Sequence, residues 1–179
     1  RRVVRPKFVQ SVALNPRVVS DLGRVVPRED LENLRAVAES MREQLRDRII
    51  WHVNTTAAGG GVAEMLHSLL AYVRGLGLDT RWAVIGGTPD FFRLTKRLHN
   101  ALHGERGDGS DLGRAERVIY EKVAADNAVE FCTMVGPRDV VVLHDPQTAG
   151  LIPYLKRHGT PVIWRCHIGQ DDRNAESDA

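Results

Sequence analysis

The strongest constraint on this chain is an alternation: short apolar runs rich in β-branched residues are separated by stretches with helical spacing. The runs are Arg48 to Asn54, Thr80 to Ile85, Val140 to His144 and Pro161 to Cys166. Between them, the pattern predicts helices over Val62 to Leu76, Asp90 to Leu102, Leu112 to Phe131 and Thr148 to His158. Strands joined through helices must pair in parallel by right-handed crossovers. The run in "DVVVLHD" is apolar without alternation, as a strand buried on both faces is. The expected fold class is therefore α/β, a Rossmann-like three-layer α/β/α arrangement with a mostly parallel sheet.

Ahead of this unit, Leu31, Leu34, Val37, Ala38, Met41 and Leu45 recur at three and four residues. That spacing predicts an amphipathic covering helix starting near Pro27. Residues up to Asn15 keep no single period and read as an irregular or extended arm. The domain reading is an arm and covering helix over 1–47, a Rossmann-like domain over 48–169, and a polar tail over 170–179. "GERGDGSDLG" reads as a mobile loop, and both ends of the chain read as cuts or frayed termini.

In open parallel sheets ligands bind beyond the carboxyl ends of the strands. Here those ends carry "NTTAAGGG", "GGTPD", "HDPQTAG" and "RCHIGQDD". Gly59, Gly60 and Gly61 sit between a strand and a helix. Glycines there let backbone N–H groups approach a phosphate at a helix N-terminus, or they only make the turn. The residues alone leave both readings open.

Several chemistries are excluded or disfavoured. Glu64 stands where a dinucleotide fingerprint wants a small residue, and the second strand ends in Gly86-Gly87 without a ribose-binding acid. No Walker A lysine and no G-x-S-x-G elbow occur. The formal charge is +2 with 27% charged residues, a mixed surface that disfavours nucleic acid as a partner. No apolar run approaches the ~20 residues of a membrane span, so the expectation is a soluble, cytoplasmic protein with no membrane partner. Cys132 and Cys166 read as buried thiols rather than a disulfide or a zinc pair. His99 and His103, four apart on a helix, lack the neighbouring glutamate of a metalloprotease helix, and no metal site is expected. His144 ends a buried strand and is followed by Asp145 and Gln147, polar groups gathered at a ligand position; the alternative is that Asp145 or Thr148 caps the next helix.

"HVNTTAAGGGVAEMLHSL", "PDFFRLTKRLHNALHG", "VVLHDPQTAGLI" and "VIWRCHIG" occur in this order and together resemble the N-terminal domain of glycosyltransferring trehalose synthase, a family related to retaining trehalose phosphorylases. The likeness runs from about Arg48 to Gly169. It implies one half of a GT-B enzyme, whose two Rossmann-like domains face a cleft. It further implies reversible transfer of glucosyl, with retention, from a nucleoside-diphosphate glucose to glucose, giving trehalose without an obligatory cofactor; the alternatives are a trehalose phosphorylase-type domain and a solitary, non-catalytic sugar-binding Rossmann domain. The family's second, donor-binding domain and its pair of glutamates are not in this sequence, so the expectation is that the chain alone is inactive.

The resemblance also implies roles for particular residues. Gly59, Gly60 and Gly61 would bind the donor diphosphate, and His167 would face the transferring glucose as the catalytic residue. Glu64, Lys96, Asn100, His144, Asp145 and Gln147 would contact the acceptor sugar, with helix capping the alternative for Glu64 and a solvated helix face for Lys96 and Asn100. Arg165 is either an ion-pair partner or a phosphate ligand. Sugars and nucleotide sugars are the implied partners, and a homodimer stays open as the assembly.

Overall fold

A computed structural model describes residues 8–105 and 112–169. Five strands form one sheet: β1 (Val9–Val12), β2 (Ile50–Asn54), β3 (Thr80–Ile85), β4 (Val140–His144) and β5 (Val162–Arg165), in the order β1-β3-β2-β4-β5. The strands β3, β2, β4 and β5 pair in parallel, and β1 joins the β3 edge antiparallel. The helices are α1 (Arg28–Gln44), α2 (Gly61–Gly75), α3 (Pro89–Leu102), α4 (Arg114–Phe131), α5 (Asp145–Ala149) and α6 (Ile152–His158), with a 3-10 helix over Val19–Arg24. This is the α/β fold with a mostly parallel sheet that the alternation predicts.

Successive strand residues point to opposite faces. Trp51, Val53, Ala83, Ile85, Val141 and Leu143 go to one face, where they pack with Phe131 of α4 and Leu155 of α6. Trp82 goes to the other and packs on Ala63, Leu66 and Leu70 of α2. By register His52 lies beside Trp82 and Val142, so His52 and His144 share the α2 face. The chain winds in opposite directions from β2, to β3 on one side and to β4 on the other. The gap between β2 and β4 is thus the switch point at which such sheets open a crevice.

One expectation is narrowed and three change. The arm, read as irregular or extended, is extended at β1, which is held to the sheet and also by Glu130, whose carboxylate accepts from the amides of Phe8 and Val9 at 2.8 and 3.1 Å. Only Val9 of this four-residue strand is fully buried, which is why no period shows. The covering helix forms but packs on the 3-10 helix; Leu31 and Ala38 are buried while Leu34, Val37 and Met41 stay exposed. The helix expected over Thr148 to His158 is two helices, because Gly150 lies against the Tyr120 ring. The Tyr120 hydroxyl donates to the Pro146 carbonyl and accepts from the Gly150 amide, and Pro153 lacks the N–H a continuous helix would need. Cys132 and Cys166 are half-buried, not enclosed. The glycine-rich loop expected to be mobile spans 104–113; its residues 106–111, like the polar tail over 170–179, lie outside the described residues.

Candidate functional site

Loop residues 54–60 leave β2 in a shape fixed by side chains. Asn54, buried, accepts from the Trp82 indole N–H at 2.8 Å and donates to the Thr56 carbonyl at 2.7 Å. Thr56 bonds the Ala58 carbonyl and amide, and His67 of α2 reaches back to the Ala57 carbonyl at 2.8 Å. Gly59 and Gly60 then take φ of 76° and 87°, a left-handed region costly to any residue with a Cβ. An added Cβ at Gly59, Gly60 or Gly61 would meet nothing within 4 Å. Space therefore does not require these glycines; at Gly59 and Gly60 the backbone does. No side chain caps α2, so its first N–H groups and its positive dipole end are available to an anion.

That helix end opens on a cavity of about 440 Å³ at the switch point. Gly59, Gly60, Gly61, His144, Asp145, Gln147 and His167 line it, seven of the ten residues singled out from sequence. Glu64, exposed on α2 and capping nothing, does not, and neither do Lys96 and Asn100 of α3. Asn54, Thr55 and Thr56, read from sequence only as part of the "NTTAAGGG" rim and given no role, and His99, weighed only as a metal ligand, also line it. A cleft of about 530 Å³ beside α4 and α6 and one of about 460 Å³ by Arg42 and Asp79 are as large, but neither lies at the carboxyl ends of the strands.

Three imidazoles run across the sheet into the cavity. Nδ1 of His52 lies 3.0 Å from Nε2 of His144, whose Nδ1 lies 2.8 Å from Nε2 of His167. Neighbouring ring planes are inclined by 21° and 22°. His52 sits behind His144, outside the cavity lining. Burial lowers the pKa of His144 to about 3, helped by His52, His167 and Arg165. Burial, with Arg165 second, lowers that of His52 to about 4. Both rings are neutral at pH 7.

Asp145, at φ 64°, accepts from the His167 amide at 2.8 Å through Oδ1, and its carbonyl accepts from the Trp164 indole. Its carboxylate thus ties the end of β4 to the loop after β5 rather than capping α5, which has no side-chain cap. The Thr148 hydroxyl donates back to the His144 carbonyl. Across the cavity, His99 has a pKa lowered by partial burial and then by Lys96 and His103, with Asp145 acting the other way. No cluster of three His, Cys, Asp or Glu able to hold a metal occurs among the described residues, and no helix there is long and apolar enough to cross a membrane.

What converges is a helix end suited to an anion, an imidazole pair, His144 and His167, able to give or take a hydroxyl hydrogen bond, and a carboxylate with one oxygen engaged. Residues 52–178 match the family described as trehalose synthase, N-terminal domain. The chain is 40% identical over 160 residues to a trehalose synthase of Thermococcus litoralis, covering 88% of this chain and 36% of that protein. It is 31% identical over 173 residues to a trehalose phosphorylase of Pleurotus sajor-caju, covering 87% and 23%. The solved apo structure of OtsA aligns at a TM-score of 0.50 and 18% identity, over 68% of this chain and 33% of that one, a likeness of fold alone. The chain spans about a third or less of the length of these relatives.

Proposed function

The chain belongs to the family of trehalose synthase N-terminal domains, and from that premise we propose that it forms the acceptor-side wall of a glucosyl-transfer site in a GT-B enzyme. The observation that carries this reading is the shared cavity: the uncapped N-terminus of α2 and the His144–His167 pair face one space at the switch point. A nucleoside-diphosphate glucose, held mainly by a second domain outside these residues, would bring its diphosphate to Gly59–Gly61. There the N–H groups stabilise the charge that grows as the glucosyl C1–O bond breaks. A hydroxyl of the acceptor glucose, oriented by His144, Asp145 and Gln147, forms the new C1–O bond on the same face, giving trehalose with retention. His167 faces the transferring glucose. No step in this scheme calls for a metal or other cofactor.

Inorganic phosphate would suit the same helix end, and the likeness to trehalose phosphorylases makes phosphorolysis the second reading. Joining this chain to the C-terminal remainder of the Thermococcus litoralis relative separates the two. Trehalose with a nucleoside diphosphate should yield nucleotide sugar and glucose, whereas trehalose with inorganic phosphate alone yields glucose 1-phosphate in a phosphorylase. The 179-residue chain by itself should turn over neither. A joined protein that folds yet transfers glucosyl from trehalose to neither acceptor overturns the proposal.

A further inference from the structure

Each N···N contact in the row His52, His144, His167 needs one hydrogen and no more, since two lone pairs or two N–H groups facing each other repel. The two bridges, at 3.0 and 2.8 Å, therefore hold two hydrogens. One hydrogen on each ring makes three, so the third sits at one end of the row, on Nε2 of His52 or on Nδ1 of His167. Only two arrangements satisfy this count. In the first, all three rings are Nε2–H tautomers and Nδ1 of His167 is an acceptor. In the second, all three are Nδ1–H tautomers and that nitrogen is a donor.

We infer that His52, His144 and His167 form one proton relay, with a single tautomeric state shared by all three rings and one end in the cavity. Starting from the Nε2–H row, a proton given to Nδ1 of His167 by a hydroxyl in the cavity sends the Nε2 proton of His167 to Nδ1 of His144. The Nε2 proton of His144 passes to Nδ1 of His52, and the Nε2 proton of His52 leaves to water. Three N–H bonds form and three break, and one proton crosses from the cavity to the far end of the row. His52 is not itself part of the cavity lining and acts through the other two, as a positioning residue. It is half-buried, so its outer end is not sealed from solvent.

The surroundings keep His52 and His144 neutral. Arg165 on β5 acts on His52 and His144 and opposes a positive charge there. Asp145 on α5 spends Oδ1 on the His167 amide rather than on a ring nitrogen, and His99 of α3 faces the same cavity. The relay serves any hydroxyl in the cavity; on the reading above, the hydroxyl is a sugar's.

The test is nitrogen-15 NMR of the chain with labelled histidine at pH 7. The ratio of Nδ1–H to Nε2–H tautomer should be the same at His52, His144 and His167, and rings with different ratios overturn the relay. In His144→Phe the ratios at His52 and His167 should part; ratios that stay equal and unchanged there also overturn it. If that variant does not fold, the unsubstituted chain decides. Added glucose that changes the ratio at His167 should change it equally at His52, and a change confined to His167 counts against the relay. Glucose that shifts no resonance overturns the acceptor reading of the cavity, while the unliganded ratios still decide the relay.

Discussion

The carboxylate of Asp145 accepts the backbone N–H of His167 at 2.8 Å, from a residue whose own φ is 64°. Two features compete at this position: strain in the left-handed region, and a charge-assisted bond that locks the loop carrying His167 against the end of β4. Asp and Asn tolerate that region better than other side chains with a Cβ. Asp145→Asn should therefore cost about 1 kcal/mol, since its amide oxygen still accepts. Asp145→Ala should cost about 2–4 kcal/mol, from a lost bond to a charged group and added backbone strain. Urea denaturation of the two variants checks the order; equal losses would show that the bond contributes little.

The three glycines should behave differently from one another. Gly60, at φ 87°, should lose about 1–2 kcal/mol as Ala from backbone strain alone, with no clash involved. Gly61 has no such φ and opens α2, so Gly61→Val should fold with little change in stability. If the α2 N-terminus holds a diphosphate, Gly61→Val in a joined two-domain protein should raise the donor KM by tenfold or more, because the branched side chain crowds the approach. Unchanged donor KM would detach the glycines from the phosphate.

The fold was largely legible because its strands are uninterrupted apolar runs, and the rim residues followed from knowing where parallel sheets open. The strand order was not legible, and it makes the histidine row. His52, His144 and His167 are separated by 92 and 23 positions in the chain and meet because β4 lies between β2 and β5. Within "WHVN", His52 looked like any strand residue. His99 lines the cavity because α3 packs on α5 beside it, a tertiary relation that helical spacing does not encode. The stripe on α1 led the other way: its period is sound, but what it packs on is a short 3-10 helix that leaves half of it exposed.

Asp139 shows the same limit on the stability side. No role for Asp139 was legible in sequence, yet it is buried and accepts from the Ile49 amide at 3.0 Å, the Gly136 amide at 2.8 Å and the Trp51 indole at 3.2 Å. These bonds fasten the starts of β2 and β4 at the end of the sheet opposite the cavity. Asp139→Ala strands three donors in buried or half-buried positions and should cost at least about 3 kcal/mol. Glucose-induced NMR shifts at the distant cavity should survive in the folded fraction; their loss would mean that this end of the sheet also sets the rim.

The buried histidines give the protein an acid limit above the carboxylate range. A histidine in the unfolded chain titrates near 6.5, whereas His52 and His144 in the fold titrate near 4 and near 3, chiefly because burial penalises the charged ring. Between pH 6.5 and 4 the unfolded state therefore binds more protons than the folded one. Stability then falls as the pH is lowered, by about 1.4 kcal/mol per pH unit for each proton refused. At pH 7 both rings are neutral in either state and the penalty vanishes. From pH 7 to pH 5 each ring should cost about 2 kcal/mol, and the two together somewhat less than double, because they titrate as a coupled pair. Urea midpoints at pH 7 and pH 5 measure this, over a range where most carboxylates stay ionised. His52→Gln removes one of the two titrations and should flatten the fall by roughly half. A midpoint that does not move between pH 7 and pH 5 in the unsubstituted chain would mean that the rings can charge inside the fold, and the neutral row would be lost with it.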